Sequence, residues 1–232
     1  MSITITQPTL SFGQLAPLSR SAVRCLVVHT QGAPGNQDGS AQGIHAYHRQ
    51  PAALGGRGWA GIGYHFVVRK QGGVERGRPL DRQGAHVHGY NHASVGICCS
   101  GNGDVADFTT AQKRSLAALV EDLRAEYPAA HVHGHRPLID DLIARHELSN
   151  RFRTNKTCPG VRVNTAELQQ LIGLEPARPH PGERRWSRYF KDWLVLRSYE
   201  SDTDWTFVPS ATPQRRPLRA TVRWSELPLA SA

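Results

Sequence analysis

No apolar run in the 232-residue chain approaches the roughly 20 residues needed to span a bilayer. The opening stretch, MSITITQPTLSFGQLAPLSR, lacks a basic region followed by an apolar one, so it does not read as a secretory signal. The expectation is synthesis in the cytoplasm, with action elsewhere only after release or specialised export. Acidic residues are scarce, 19 against 28 Lys and Arg, giving a formal charge of +9 and a pI near 9.9. That balance favours a polyanionic partner such as nucleic acid, anionic lipid or an envelope polymer, without choosing among them. A basic surface that only aids solubility is an equal reading. Cysteine is limited to Cys25, Cys98, Cys99 and Cys158. Cys98 and Cys99 are neighbours on an expected strand and point to opposite faces, so the disulfide framework of a small secreted domain is excluded.

What is present suits one ordinary globular domain with a modest appendage: 39% hydrophobic and 20% charged residues. AVRCLVVHT (22–30) reads as a buried strand and SAQGIHAYHR (40–49) as a short helix stopped by Pro51. Residues 63–70 and VERGR form an expected hairpin across QGG, and ASVGICCS is a further strand in which Gly96 marks a close approach or a bulge. Thr109 to Tyr127 has the clearest helical period, with Thr109 and Gln112 spaced as a capping box and Pro128 ending it. AAHVHGH leads as a strand to His135, Pro137 opens a helix, and Asn164 caps a last one. Strands mixed with helices predict an α/β domain with a mixed sheet over 1–175. From Pro176 the composition shifts: PARPHPGERR is a linker, and 176–232 is a small β-rich region carrying Trp186, Trp193, Trp205 and Trp224.

His29, His135 and Cys158 each fall at or beyond the end of an expected strand, where a scaffold can aim side chains into one cleft. Two imidazoles and a thiolate suit zinc, and three protein ligands leave the fourth tetrahedral position open. With 12 histidines in the chain, other triples can also be drawn, and a strand histidine is commonly a hydrogen-bonded structural residue.

LVVHT, GWAGIGYHFVV, GGVERGR, GAHVHGYNHASVGIC, FTTAQKRSL, VHGHR and KTCPG follow one another from about Val23 to Gly160. In these motifs the chain resembles the type-2 N-acetylmuramoyl-L-alanine amidases, the superfamily shared with peptidoglycan recognition proteins. It looks closest to the phage-lysozyme-type zinc amidases. The resemblance implies a central mixed β-sheet flanked by helices with a zinc cleft on one face. It implies hydrolysis of the amide between N-acetylmuramic acid and L-alanine of peptidoglycan, by an endolysin or an interbacterial lytic enzyme acting on the periplasmic or extracellular wall. By the same resemblance His29, His135 and Cys158 hold Zn2+, Tyr64 and Lys156 are catalytic, and His86 and Asn91 contact glycan or stem peptide. Thr157 and Trp59 are further candidate contacts, Trp59 being equally a packing residue.

The chemistry agrees with this reading. A site zinc lowers the pKa of bound water to near 7, Lys156 is placed to face a developing oxyanion, and Tyr64 to handle a proton. Strand alternation would put Tyr64, Phe66 and Val68 on one face and His65 and Val67 on the other. No carboxylate sits at an obvious general-base position, and Glu75 reads as structural. The segment between His135 and Cys158, with an insertion over 138–155, either forms a lid or alters which stem peptides fit. Two other classes remain: a non-catalytic muropeptide-binding module, opposed by the intact Cys158, and a nucleic-acid binder supported by RPHPGERRWSR and TPQRRPLR. A DNA partner is not expected; peptidoglycan and anionic envelope polymers are.

Overall fold

The computed structural model describes residues 3–175 in full and the backbone of four later strands. The chain divides into two compact units, Met1–Ala177 and Arg178–Ala232. In the first, strands β1 (Ile5–Thr6), β2 (Cys25–Thr30), β3 (Phe66–Val68), β4 (Val74–Arg76), β5 (Ser94–Cys99) and β6 (His131–Gly134) form one sheet in the order β1-β4-β3-β5-β2-β6. Only the β3–β4 hairpin is antiparallel; β2 lies parallel between β5 and β6. The helices are α1 (Ala41–Arg49), α2 (Thr110–Glu126), α3 (His135–Ala144) and α4 (Thr165–Ile172). Among the described residues, no helix is long and apolar enough to cross a membrane.

All six residues of β2 are buried, the pattern of a parallel strand covered on both faces. Leu26 and Val28 join the main core with Leu116 and Leu119 of α2 and Leu168 and Ile172 of α4. Cys25 and Val27 point the other way, onto Leu138, Ile139 and Leu142 of α3. The same alternation puts His29 on the α3 side of the sheet, at the carboxyl end of its strand. In α/β sheets that end, beside parallel neighbours, is where a crevice opens.

The capping box of α2 is formed on both sides: Thr109 Oγ1 accepts from Gln112 N–H, and Gln112 Oε1 accepts from Thr109 N–H. The Thr109 hydroxyl also donates to Lys70 O at 2.6 Å. Thr109→Ala removes all of these side-chain bonds but those of Gln112, and is expected to cost about 1–2 kcal/mol, read as a lowered urea midpoint at unchanged m. Lys113, nearly buried, pairs with Asp107 at 2.6 Å and Glu167 at 2.5 Å and so ties α2 to α4.

Three expectations are corrected. The strand expected over 63–70 contracts to Phe66–Val68 because the chain bends at His65. Alternation therefore does not reach back to Tyr64, which packs with Ile62 and Val67 while Phe66 and Val68 enter the main core. The helix expected to open at Pro137 begins at His135, so that histidine sits in its first turn. Strand β1, only two residues long, was below the length that a period reveals.

In the second unit β7 (Arg184–Ser187), β8 (Asp192–Tyr199), β9 (Trp205–Pro209) and β10 (Leu218–Ala220) form an antiparallel sheet in the order β10-β9-β8-β7. The side chains of Trp186, Trp193 and Trp205, the whole of Trp224 and linker residues 176–183 lie outside the described residues.

Candidate metal centre and cleft

His29 from the end of β2, His135 from the start of α3 and Cys158 from the following loop bring their ligand atoms within 4.8 Å of one another. The loop is tied to the helix directly, since Arg136 N–H donates to the Cys158 carbonyl at 2.9 Å. It is held from the other side by Asp104, whose carboxylate accepts from Thr157 Oγ1 at 2.6 Å and Val161 N–H at 2.9 Å. Gly160 and Gly103 meet so closely there that a Cβ on Gly160 would lie 2.1 Å from the Gly103 carbonyl carbon.

Two soft-to-borderline nitrogens and one sulfur are a donor set that fits zinc. A tetrahedral ion with Zn–S of about 2.3 Å and Zn–N of about 2.0 Å holds sulfur and nitrogen roughly 3.5 Å apart. His29 Nδ1 lies 3.5 Å from Cys158 Sγ. Burial holds His29 well below its ordinary range, with the His135, His86 and Lys156 charges acting the same way. Burial and Lys156 bring His135 down to about 4. Both rings are thus neutral at pH 7 and offer lone pairs. Burial pushes the Cys158 thiol up to about 12, so a metal must displace its proton on binding.

The three ligands line a cleft of about 770 Å³. Tyr64, Lys156, Thr157, Trp59 and His86 line it too, whereas Asn91 does not. Tyr64 stands beside His29, ring centroids 5.2 Å apart. Burial holds its phenol well above 10, so it keeps its proton at neutral pH. Lys156 is exposed at the rim. Trp59 is 40% exposed and packs on His48 at 4.8 Å. The Thr157 hydroxyl is committed to Asp104. Asn91 instead accepts at Oδ1 from the backbone N–H groups of His86 and Val87, both at 2.9 Å. His86 is 8% exposed, and its Nδ1 lies 3.1 Å from His29 Nε2. His88 and His92 are exposed.

Glu75 is structural: Oε2 accepts from Ala41 N–H at the start of α1 and Oε1 pairs with Arg69 at 2.8 Å. Of residues 138–155, Asn155 alone lines the cleft. Their apolar members pack on β2 and on Val87, so this insertion is a buttress, not a lid. Sequence reasoning missed Asp104 in the wall, and Arg57 poised over Tyr47 and Trp59 at 5.7 and 6.0 Å. Asp104 and Arg57 both sit in loops without local pattern; a carboxylate three residues after Gly101 carries no signal of its own.

His65 is fully buried with both ring nitrogens on backbone, and burial brings it down to about 4. The unfolded chain protonates this ring near 6.5, so it binds more protons than the folded state in that window. Stability is therefore full above pH 6.5 and lost as pH falls toward 4, by roughly 3 kcal/mol for this group. Urea midpoints should already fall between pH 6.5 and 5, above the carboxylate range; a flat profile there contradicts the assignment.

Fold and donor set together define a class: an α/β domain with a candidate metal centre in an open cleft at the strand ends. The chain belongs to the N-acetylmuramoyl-L-alanine amidase family, whose model matches residues 19–161. The endolysin of Enterobacteria phage K11 is 33% identical over 134 residues, 56% of this chain and 85% of that one. Peptidoglycan-recognition protein SC2 of Drosophila melanogaster is 32% identical over 116 residues, 49% of this chain and 60% of its own length. Among solved structures, N-acetylmuramoyl-L-alanine amidase LysC from Clostridium intestinale URNW superposes with a TM-score of 0.56 at 27% identity, over 75% of this chain and 100% of that one.

Proposed function

We propose that the chain hydrolyses the amide bond joining N-acetylmuramic acid to L-alanine in peptidoglycan, with zinc held by His29, His135 and Cys158. The observation that carries this reading is the meeting of three ligand atoms, from three separate elements, in an open cleft of a chain of this family. When bound, zinc supplies Lewis acidity, which polarises a carbonyl and acidifies water. The chain's own groups supply the rest. His29 and His135, neutral by burial, need lose no proton to ligate. Lys156 offers a fixed positive charge to the carbonyl oxygen as it becomes anionic. Tyr64, protonated at neutral pH, serves as a hydrogen-bond donor that orients the attacking water. Trp59 offers an apolar ring face to a sugar. Thr157, bound to Asp104, holds the loop that carries Lys156 and Cys158.

In this reading residues 1–175 carry the chemistry and 176–232 form an appendage. The protein acts as a lytic enzyme on the cell wall, as an endolysin or an interbacterial weapon, and its charge of +9 supports retention by anionic envelope polymers. Mass spectrometry of sacculi digested with zinc-loaded protein should find free stem peptides beginning with L-alanine and intact glycan strands. Uncut sacculi that retain the protein would leave a binding module instead.

A further inference from the structure

We infer that His86 is a positioning residue: it accepts a hydrogen bond from His29 Nε2–H and so fixes Nδ1 of His29 as the nitrogen free for metal. The inference rests on the zinc reading above. His29 turns Nδ1 toward Cys158 Sγ at 3.5 Å and Nε2 toward His86 Nδ1 at 3.1 Å. A ligating nitrogen carries no proton, so a neutral His29 has its proton on Nε2 and donates it. His86 Nδ1 is then the acceptor, which puts His86's own proton on Nε2. A metal-bound histidine ordinarily gives its second N–H to a carboxylate, a carbonyl or water. Here another imidazole takes that place.

The fold builds a pocket for this ring. Asn91 clamps the backbone on either side of the His86–Val87 peptide. A Cβ on Gly96 would stand 2.6 Å from the His86 ring, and one on Gly84 2.3 Å from it. Two glycines therefore leave the space that the imidazole fills. His65 backs it, ring centroids 5.7 Å apart, and His65 is itself locked: Gly96 N–H donates to Nδ1, and Nε2–H donates to the Arg82 carbonyl, both at 2.9 Å. A backbone hydrogen bond with Ser94 also reaches the His86 ring, a polar contact that a leucine packed here could not make.

The test is zinc affinity by chelator competition at one neutral pH, with circular dichroism to verify folding. His86→Ala should bind zinc roughly 10- to 100-fold more weakly than the unaltered chain. His86→Asn, whose Oδ1 can take the place of Nδ1 as acceptor, should recover most of that loss. Side-chain nitrogen NMR of the zinc-loaded unaltered protein should find both His29 and His86 protonated at Nε2, and this decides the matter if His86→Ala does not fold. Unchanged affinity in folded His86→Ala, no recovery in folded His86→Asn, or a His86 proton on Nδ1 overturns the inference alone. Failure of the unaltered protein to bind zinc overturns the zinc reading and this inference with it.

Discussion

Cys158→Ser is expected to weaken zinc binding by more than about 100-fold and to reduce cleavage of sacculi to the level seen with chelator. Loss of a partner beyond the ligands already costs 10- to 100-fold in affinity, and loss of a ligand costs more. A serine hydroxyl keeps its proton at neutral pH and offers a harder oxygen in place of a thiolate. The substitution is nearly isosteric, and the Cys158 carbonyl that receives Arg136 N–H is backbone, so the loop has no reason to move. The defect should therefore be confined to metal and activity, with the thermal transition of chelated protein unchanged. A serine variant that retains both zinc and full activity contradicts the ligand assignment.

Lys156→Met should lower kcat by roughly 10²- to 10³-fold, the usual effect of removing one preorganised partner of an oxyanion. KM should change little, because the charge matters most when the carbonyl oxygen gains its own. Zinc should stay bound: the Lys156 charge disfavours cations on His29 and His135, so its removal does not weaken their hold on a metal. Kinetics on a defined muropeptide, with metal analysis of the same samples, separate the two effects. A kcat within about twofold of the unaltered enzyme would make Lys156 a solvated loop charge. Arginine would restore the charge with a different shape, so Lys156→Arg should recover activity only in part.

Much of the frame was legible where the signal is local. The capping box announced α2 from Thr109 and Gln112, and the apolar run CLVVHT announced a strand covered on both faces. Gly96 announced a close approach, and the approaching group is the His86 ring. Alternation within β2 is enough to send His29 to the α3 side. What was not legible depends on contacts between distant segments. GAHVHGYNH contains three histidines with no local mark of which one is buried; His86 goes under because Gly84 and Gly96, the latter on β5, leave its ring a slot. Asn91 looks like a cleft residue in sequence, yet its Oδ1 is spent on the backbone N–H groups of His86 and Val87. The bend at His65 broke a period-two pattern that a strand of this composition would otherwise keep. The insertion over 138–155 reads in sequence as either a lid or a change in stem-peptide fit because length alone does not say which face is apolar; Leu138, Ile139 and Leu142 all turn onto the sheet.

The central claim is that His29, His135 and Cys158 together grip one zinc ion. X-ray absorption at the zinc edge, on protein loaded with a single equivalent, tests it without reference to activity. The account predicts one sulfur at about 2.3 Å and two imidazole nitrogens at about 2.0 Å. A shell without sulfur, or with a single imidazole, would contradict it.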